Sequence, residues 1–247
     1  MFDLHTISFL LIFIAAGLVK GVTGMGLPTV AMGLLGLLMP PQAAAALLVL
    51  PSLLTNLWQL LAGPALAQIV RRLWFMMTGI IIGTLAGSSL LIGLNPRWSA
   101  LALGAALIVY AGYALCSPVF QVSGRVEKWL SPLMGGLTGV ITGATGVFVI
   151  PVVPWLQALG FRRDELVQAL GLSFTLSTLA LAAGLALHDG WHDDAWLLSA
   201  LALLPALLGM WLGQRIRSRL SPQRFRQGFL LFLLALGIEL IARGWLV

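Results

Sequence analysis

The chain has 247 residues, of which 60% are hydrophobic and 9% are charged, and its formal net charge is +6. Its mean hydropathy of +1.01 lies far above that of soluble domains, and no polar stretch is long enough to form one. These values exclude a soluble protein and indicate a helical membrane protein with several spans. The single cysteine, Cys116, excludes an internal disulfide and a multi-cysteine metal site.

Eight apolar segments follow one another along the chain, separated by turn residues such as proline and glycine. The chain begins without the basic region of a cleaved signal peptide, so we expect the first helix to remain in the protein. The basic residues lie mainly between segments, where they fix orientation in the bilayer rather than bind nucleic acid. The segments lie near residues 7–39, 43–62, 73–94, 98–116, 132–159, 166–187, 195–213 and 228–246.

The first segment contains a lysine, Lys20, directly before a glycine-rich break over residues 21–26. A charge at membrane depth is costly and usually functional. The break exposes backbone N–H groups, and a helix starting near Pro28 would point its positive end at the same place, which together favour an anion site. In the alternative interpretation, Lys20 reaches the membrane interface and the glycines only allow close helix packing. The predicted anion-binding residues are Lys20, Gly21, Thr23, Gly24 and Gly26.

The second segment carries four polar residues on one helix face, at Ser52, Thr55, Asn56 and Gln59. Pro51 removes a helix hydrogen bond beside them and so opens the backbone. Such residues often only hydrogen-bond between helices. Four on one face favour the lining of a pore or site, and we predict that Ser52, Asn56 and Gln59 contact substrate.

The fifth segment contains a weaker copy of the first break, in which hydroxyls stand at the equivalent places. Paired breaks in corresponding positions of two halves are typical of a transporter's substrate site. We therefore include Thr142, Gly143, Thr145 and Gly146 among the predicted substrate-binding residues. The hydroxyl residues of the sixth segment are expected only to bond to carbonyls of their own helix, namely Ser173, Ser177 and Thr178.

The remaining polar residues suggest no catalytic chemistry. Glu239 and Arg243 are spaced as a structural i, i+4 pair, and Gln157 and Gln168 are expected at the membrane interface. The histidines and aspartates of residues 188–194 predict a solvated loop rather than a metal site. Because no P-loop, catalytic pair or metal-ligand spacing occurs, we predict no catalytic residue, metal or cofactor.

The two halves of the chain are predicted to be a duplication. Residues 1–116 would form the first membrane repeat, 117–131 a polar linker and 132–247 the second repeat. Each repeat would hold one glycine-broken hairpin or span and three transmembrane helices, in an all-α polytopic fold. The matching positions are Gly17 with Gly139, Gly21 with Gly143, Gly24 with Gly146, Gly83 with Gly209, Gly87 with Gly213, Leu94 with Leu220 and Pro96 with Pro222.

Charge placement predicts how the halves are oriented. The loop 215–226 holds five arginines, so the positive-inside rule places it in the cytoplasm. If both breaks fold back as hairpins, the basic residues near 71–72 and 125–128 lie inside too, only Arg97 and Arg243 lie outside, and the halves are inverted. If the broken segments cross the membrane instead, those residues fall outside, against the rule. We therefore favour inverted repeats with two hairpins over tilted broken spans.

The stretches 13–26, 50–59, 136–146 and 157–160 carry a resemblance to a known family. They resemble the TauE/SafE family of sulfite exporters and related permeases, and the likeness covers nearly the whole chain. The resemblance implies a permease of the bacterial inner membrane for small sulfur-containing or organic anions, and it leaves the cargo open. Phe148, which stands where the first break has Gly26, departs from a symmetric motif.

Together these features predict a secondary transporter that moves a small anion by alternating access. Lys20 and the breaks would hold the charge of the anion, while Asn56 and Gln59 would bond to its oxygens. The expected coupling ion is a proton or sodium, and the chain is compatible with a homo-oligomer in the lipid bilayer. The alternatives are a passive anion channel, a structural subunit of a complex, and an intramembrane enzyme acting on lipids. An enzyme is disfavoured because Lys20 is the one strongly reactive candidate at depth.

Overall fold

The computed structural model describes residues 4–116, 121–188, 190, 195–219 and 221–246, and this part of the chain is helical with connecting turns. Residues 117–120 of the predicted linker, Leu220 and most of the loop 188–194 lie outside the described residues. The helices are α1 (Leu4–Thr23), α2 (Leu27–Leu35), α3 (Pro41–Leu61), α4 (Leu66–Gly93), α5 (Pro96–Cys116), α6 (Gly124–Thr145), α7 (Val152–Ala158), α8 (Arg163–Leu187), α9 (Ala195–Ile216) and α10 (Pro222–Leu246), with a 3₁₀ turn at Arg217–Arg219 before α10.

Six of the described helices are long and apolar enough to cross a bilayer, which confirms a polytopic α-helical membrane protein. They are α3, α4 and α5 in the first half, and α8, α9 and α10 in the second. Large apolar side chains such as Ile82 and Leu204 point outward from these helices, 69% and 71% exposed, and suit contact with lipid. The other long helices, α1 and α6, belong to the two segments with glycine breaks.

The first broken segment folds back on itself. Near the end of α3, Gln59 bonds to the carbonyl of Gly24 in the break. Near the start of α3, the Ser199 hydroxyl of α9 donates to the carbonyl of Leu47. The helix α3 therefore starts at the far end of the bundle and runs toward the break. The helices α1 and α9 pack side by side and run in the same direction. The helix α1 therefore leads from the far end of the bundle to the break, and α2 leads back toward the start of α3.

The second broken segment also folds back. The amide of Val122, just before α6, donates to the carbonyl of Ala158 at the end of α7, with an N–O distance of 3.0 Å. The Arg72 guanidinium of α4 forms an ion pair with Glu127 near the start of α6 and a hydrogen bond with the carbonyl of Leu159. The two ends of the segment therefore lie side by side, as expected of a hairpin.

Proline in α3 explains one contact between the halves. Pro51 has no N–H, so the carbonyl of Leu47, four residues earlier, has no helical donor. The Ser199 hydroxyl lies 2.9 Å from that carbonyl oxygen and supplies the missing donor, while it accepts from the amide of Leu50. The sequence indicated that Pro51 opens the backbone, and the structure shows a side chain of α9 filling the opening.

Glycines bring α1 against α9 and α4 against α6 at very short range. A Cβ atom on Gly21 would lie 2.2 Å from the carbonyl oxygen of Met210, and one on Gly143 would lie 2.3 Å from that of Thr84. Both glycines were predicted to lie in the breaks, where they would let the backbone leave the helix. That placement is wrong, because both lie inside helices, and the lack of a side chain serves close packing instead.

These two contacts correspond to each other in the predicted repeats, because Gly21 matches Gly143 and Gly213 matches Gly87. In α1–α9, Gly21 packs beside Gly213, and in α4–α6, Gly143 packs beside Gly87. Each long hairpin arm thus packs against a helix of the other half. A duplicated chain would form two such matching contacts. The duplication itself and its boundaries stay predictions.

The charged ends of the helices fall into two groups. Arg217, next to α9, lies near Arg163 and Asp164 at the start of α8, and the Arg72–Glu127 pair lies at this same end of the bundle. At the opposite end, Arg243 and Glu239 form the predicted i, i+4 pair, with an N–O distance of 2.7 Å. The predicted hairpin arrangement placed the basic residues near 71–72, 125–128 and 215–226 on one side and Arg243 on the other, as the structure does.

The two glutamines expected at the membrane interface differ in burial. Gln168 is fully buried on α8, where its amide nitrogen donates to the carbonyl of Leu60 and its oxygen accepts from the amide of Ala65. Gln168 therefore holds the turn between α3 and α4 from inside the protein, and its place at the level of the membrane interface stays a prediction. Gln157 is partly exposed.

Replacing Gln168 with alanine should lower the free energy of unfolding by about 2 kcal/mol or more, because two backbone groups lose their partners. The matched variant Gln157→Ala should change it by less than about 0.5 kcal/mol. Unfolding in mild detergent, followed by tryptophan fluorescence, measures both. Equal effects of the two substitutions would show that the buried amide does not hold the α3–α4 turn.

Candidate functional site

The first break is built from a threonine and two glycines with left-handed backbone. Thr23 ends α1, and its hydroxyl lies 2.6 Å from the carbonyl oxygen of Met25 and accepts from the amide of Met25 at 3.2 Å. Gly24 and Gly26 have φ angles of 81° and 96°, a region that side-chain-bearing residues rarely adopt. Pro28 then stands in the first turn of α2. The hydroxyl of Thr23 is thus engaged by the backbone, and its contact with substrate stays a prediction.

Lys20 lies one turn before this break and is almost fully enclosed, with 1% of its surface exposed. Its ammonium nitrogen donates to the side-chain oxygen of Asn56 on α3. Lys20 therefore does not extend out of the bundle, and that part of the alternative interpretation is wrong, whereas close helix packing holds for Gly21. A charged group removed from water needs strong polar partners, and in the described part of the chain no carboxylate lies within ion-pair distance of Lys20.

Two other predicted side chains of α3 surround this contact. Gln59 donates to the carbonyl of Gly24 with an N–O distance of 2.6 Å, which fixes α3 to the break. The amide nitrogen of Asn56, the side-chain oxygen of Gln59 and the hydroxyl of Ser52 are buried, and no described protein group bonds to them. Buried polar atoms usually have partners. Of these three residues, Gln59 lines the cavity beside Lys20 and Asn56 and Ser52 do not. Thr55 differs, since its hydroxyl bonds to the carbonyl of Pro51.

A cavity of about 460 Å³ opens beside Lys20 at the end of the bundle that carries Arg163 and Arg217. Three cationic side chains and one carboxylate line it, so its wall carries a positive excess. Burial lowers the pKa of Arg217, and the neighbouring Arg163 lowers it further, whereas Asp164 opposes the shift. The lining residues are Lys20, Gly21, Gly24, Trp58, Gln59, Ala62, Gly63, Arg163, Asp164, Val167, Met210, Gln214 and Arg217.

The family model described as "Sulfite exporter TauE/SafE" matches residues 9–240 of the chain. The chain belongs to the TauE/SafE family. Its membership and the six span-capable helices of the described residues make it a multi-pass membrane protein of a transporter family. No curated protein and no solved structure matches it significantly.

The start of α8 lines this TauE/SafE cavity, whereas the start of α2 does not. A Cβ atom on Gly26 would lie 3.3 Å from the ring of Phe229 and equally close to Val19, and neither Gly26 nor the first turn of α2 lines the cavity. The first turn of α2 therefore does not reach this cavity, and the expectation that its N-terminal end points at the substrate stays a prediction. The break brings Gly24, not the start of α2, to the cavity wall.

The second break repeats the hydrogen bonds of the first. The hydroxyl of Thr145 accepts from the amide of Val147 at 3.2 Å, as Thr23 does from Met25, and Gly146 has a φ angle of 69°. The Thr142 hydroxyl, at the place equivalent to Lys20, donates to the carbonyl of Val147. Residues 142–146 do not line the cavity beside Lys20, so the structure does not bring the two predicted halves of the site together.

The hydroxyls of α8 behave partly as expected. Ser173 and Thr178 donate to carbonyls of their own helix, at 2.9 Å and 2.7 Å, which confirms that interpretation. The Ser177 hydroxyl is buried, and none of the described groups bonds to it.

Among the cavity residues that sequence reasoning missed are Trp58, Arg163, Gln214 and Arg217. The arginines were interpreted only as determinants of orientation. The signal that could have identified them is the hairpin arrangement itself. It places the start of α8 and the end of α9 at the end of the bundle toward which Lys20 and the first break point.

Proposed function

We propose that this TauE/SafE member is a secondary permease for small anions, specifically sulfur oxyanions or small sulfonates. The observation that carries the proposal is Lys20, a buried basic side chain without a carboxylate partner among the described residues, on the wall of a cavity. A bound anion supplies the missing counter-charge. A buried ammonium left unpaired is unfavourable, so the empty site favours an anion over a neutral solute.

The cavity suits a small oxyanion. Its volume of about 460 Å³ accommodates such an ion with part of its water shell. Arg163 and Arg217 draw anions toward it, and Lys20 holds the charge deeper inside. Asn56 and Gln59 hydrogen-bond the oxygens of the anion once its arrival rearranges their amides. Gly21, Thr23, Gly24, Gly26 and Ser52 belong to the same proposed site.

Alternating access is the proposed mechanism. Two hairpins enter from opposite ends of the bundle, and each packs its long arm on a helix of the other half, which supports two inverted repeats. Rocking of such repeats exposes a site to one side at a time. Thr142, Gly143, Thr145 and Gly146 are proposed to complete the site in the opposite state. The bacterial inner membrane, with the arginine-rich end in the cytoplasm, is the proposed location.

Uptake of labelled sulfite, thiosulfate and small sulfonates into proteoliposomes tests the function, with protein-free liposomes as the control. We expect saturable flux of at least one anion, with a response to a pH gradient. Flux that rises linearly with concentration would instead indicate a passive channel. No flux of any of these anions by folded protein would contradict the proposal.

A further inference from the structure

Lys20 is unusual for a lysine because it is buried and its hydrogen-bond partner is neutral. Its side chain is 1% exposed, and its hydrogen-bond partner in the described structure is the neutral amide oxygen of Asn56. A lysine amine can donate to that oxygen whether or not it is protonated, since even the neutral form carries two N–H bonds. Asn56 therefore fixes the position of the nitrogen without requiring that it be charged.

The groups that face Lys20 across the cavity do not supply a counter-charge. On α8 and the 3₁₀ turn these are Arg163, Asp164 and Arg217. Asp164 is the one carboxylate in the lining; it interacts with Arg217 and is not ion-paired with Lys20. The two arginines add positive charge, which disfavours a further cation.

The other elements around Lys20 contribute no ionisable group to the cavity. The part of α3 that lines it presents Trp58 and Gln59, and α9 presents Met210 and Gln214. The helix α2 contains no titratable residue. On α10, Arg226 is engaged with the carbonyl of Ala114 of α5, away from the cavity wall, and Phe229 faces the break.

We propose that Lys20 is the proton carrier of the permease: the empty site holds a neutral amine, and the anion and one proton bind together. In the loading step the lone pair of the amine takes a proton from a hydronium ion in the cavity, which leaves water, and the ammonium pairs with the anion. In the release step the anion leaves and the proton returns to water on the other side. This inference rests on the proposed anion site and names its coupling ion.

The reason for coupling is thermodynamic. The ammonium is costly in the empty, positively lined site, and an anion stabilises it, so each ligand raises the affinity for the other. A monoanion then crosses with no net charge. Above the pH at which the empty site loses its proton, the apparent dissociation constant should rise about tenfold per pH unit, because only the protonated site binds.

Calorimetry of methanesulfonate and thiosulfate binding to the purified protein tests the coupling, since the charge of both ions is constant near neutral pH. Two amine buffers of different ionisation enthalpy are used, because they contain no sulfonate that would compete. We expect the difference in heat to show uptake of about one proton per anion, and the affinity to fall with pH as stated.

The chain contains only two lysines, which provides a matched control. Lys20→Arg keeps a positive charge that cannot be removed near neutral pH, so it should bind anions without proton uptake and with an affinity independent of pH. Lys128→Arg, on the exposed surface of α6, should behave as the native protein does. If Lys20→Arg does not fold, the pH dependence of the native protein alone decides the matter.

The outcomes separate this inference from the proposed function. Anion binding without proton uptake, and with an affinity that does not change with pH, would overturn the role of Lys20 as proton carrier and leave the permease standing. Proton uptake that persists in Lys20→Arg would place the coupled group elsewhere and overturn it as well. If neither anion binds and no labelled anion is transported, the anion site and the inference fall together.

Discussion

Replacing Lys20 with methionine should reduce anion uptake into proteoliposomes by about 30-fold or more. Methionine matches the length of the lysine stem and removes only the charge and the N–H donors. Losing one partner of a buried charge pair costs about 2–5 kcal/mol, and each 1.4 kcal/mol is a factor of ten. The loss should appear with methanesulfonate and thiosulfate alike, because both need the same positive charge.

Insertion and folding should survive this substitution. The Lys20 side chain is buried without a carboxylate partner among the described residues, so its removal breaks no ion pair, while Asn56 loses one donor. The pair Lys20→Met with Asn56→Leu removes both polar groups and guards against misfolding of the single variant. Lys128→Met is the control for lysine chemistry, and its uptake should match that of the native protein. Normal uptake by folded Lys20→Met would refute the site.

The sequence could assign the first break and α3 to one site because each contains polar side chains that an apolar membrane span rarely holds. A lysine at membrane depth and a polar helix face each need partners, and the short connection between the two segments lets them meet. The structure shows Lys20 bonded to Asn56 and Gln59 bonded to Gly24, while the predicted contact of these side chains with an anion stays a prediction. The burial of Lys20 follows from the same pairing, because the amide oxygen of Asn56 takes the place of water.

Other features depend on distant parts of the chain and could not be predicted in this way. A glycine in an apolar segment is compatible with both a break and a close helix contact, and only the approach of α9 to Gly21 decides between them. Gln168 looked interfacial because it follows a loop, but the α3–α4 turn covers it. Arg163 and Arg217 meet beside the cavity only after α8 and α9 are placed.

Replacing Gly135 with alanine should destabilise the protein strongly, whereas replacing its neighbour Gly136 should not. On α6, a Cβ atom at Gly135 would lie 2.1 Å from the backbone carbonyl oxygen of Met76 on α4, and a backbone atom cannot move aside as a side chain does. The two helices must separate along their contact. Overpacking of this kind costs about 1–3 kcal/mol and occasionally more, and we expect the upper end of that range.

Gly136 is the matched control because a Cβ atom there has no neighbour within 4 Å. Alanine favours the helix over glycine by about 0.5–1 kcal/mol, so Gly136→Ala should be neutral or slightly stabilising. Thermal unfolding in detergent therefore gives opposite signs for two adjacent, chemically identical substitutions. Because α6 is the long arm of the second hairpin, Gly135→Ala should also lower transport in any protein that remains folded. If both variants unfold like the native protein, α4 and α6 do not approach as closely as the glycines allow.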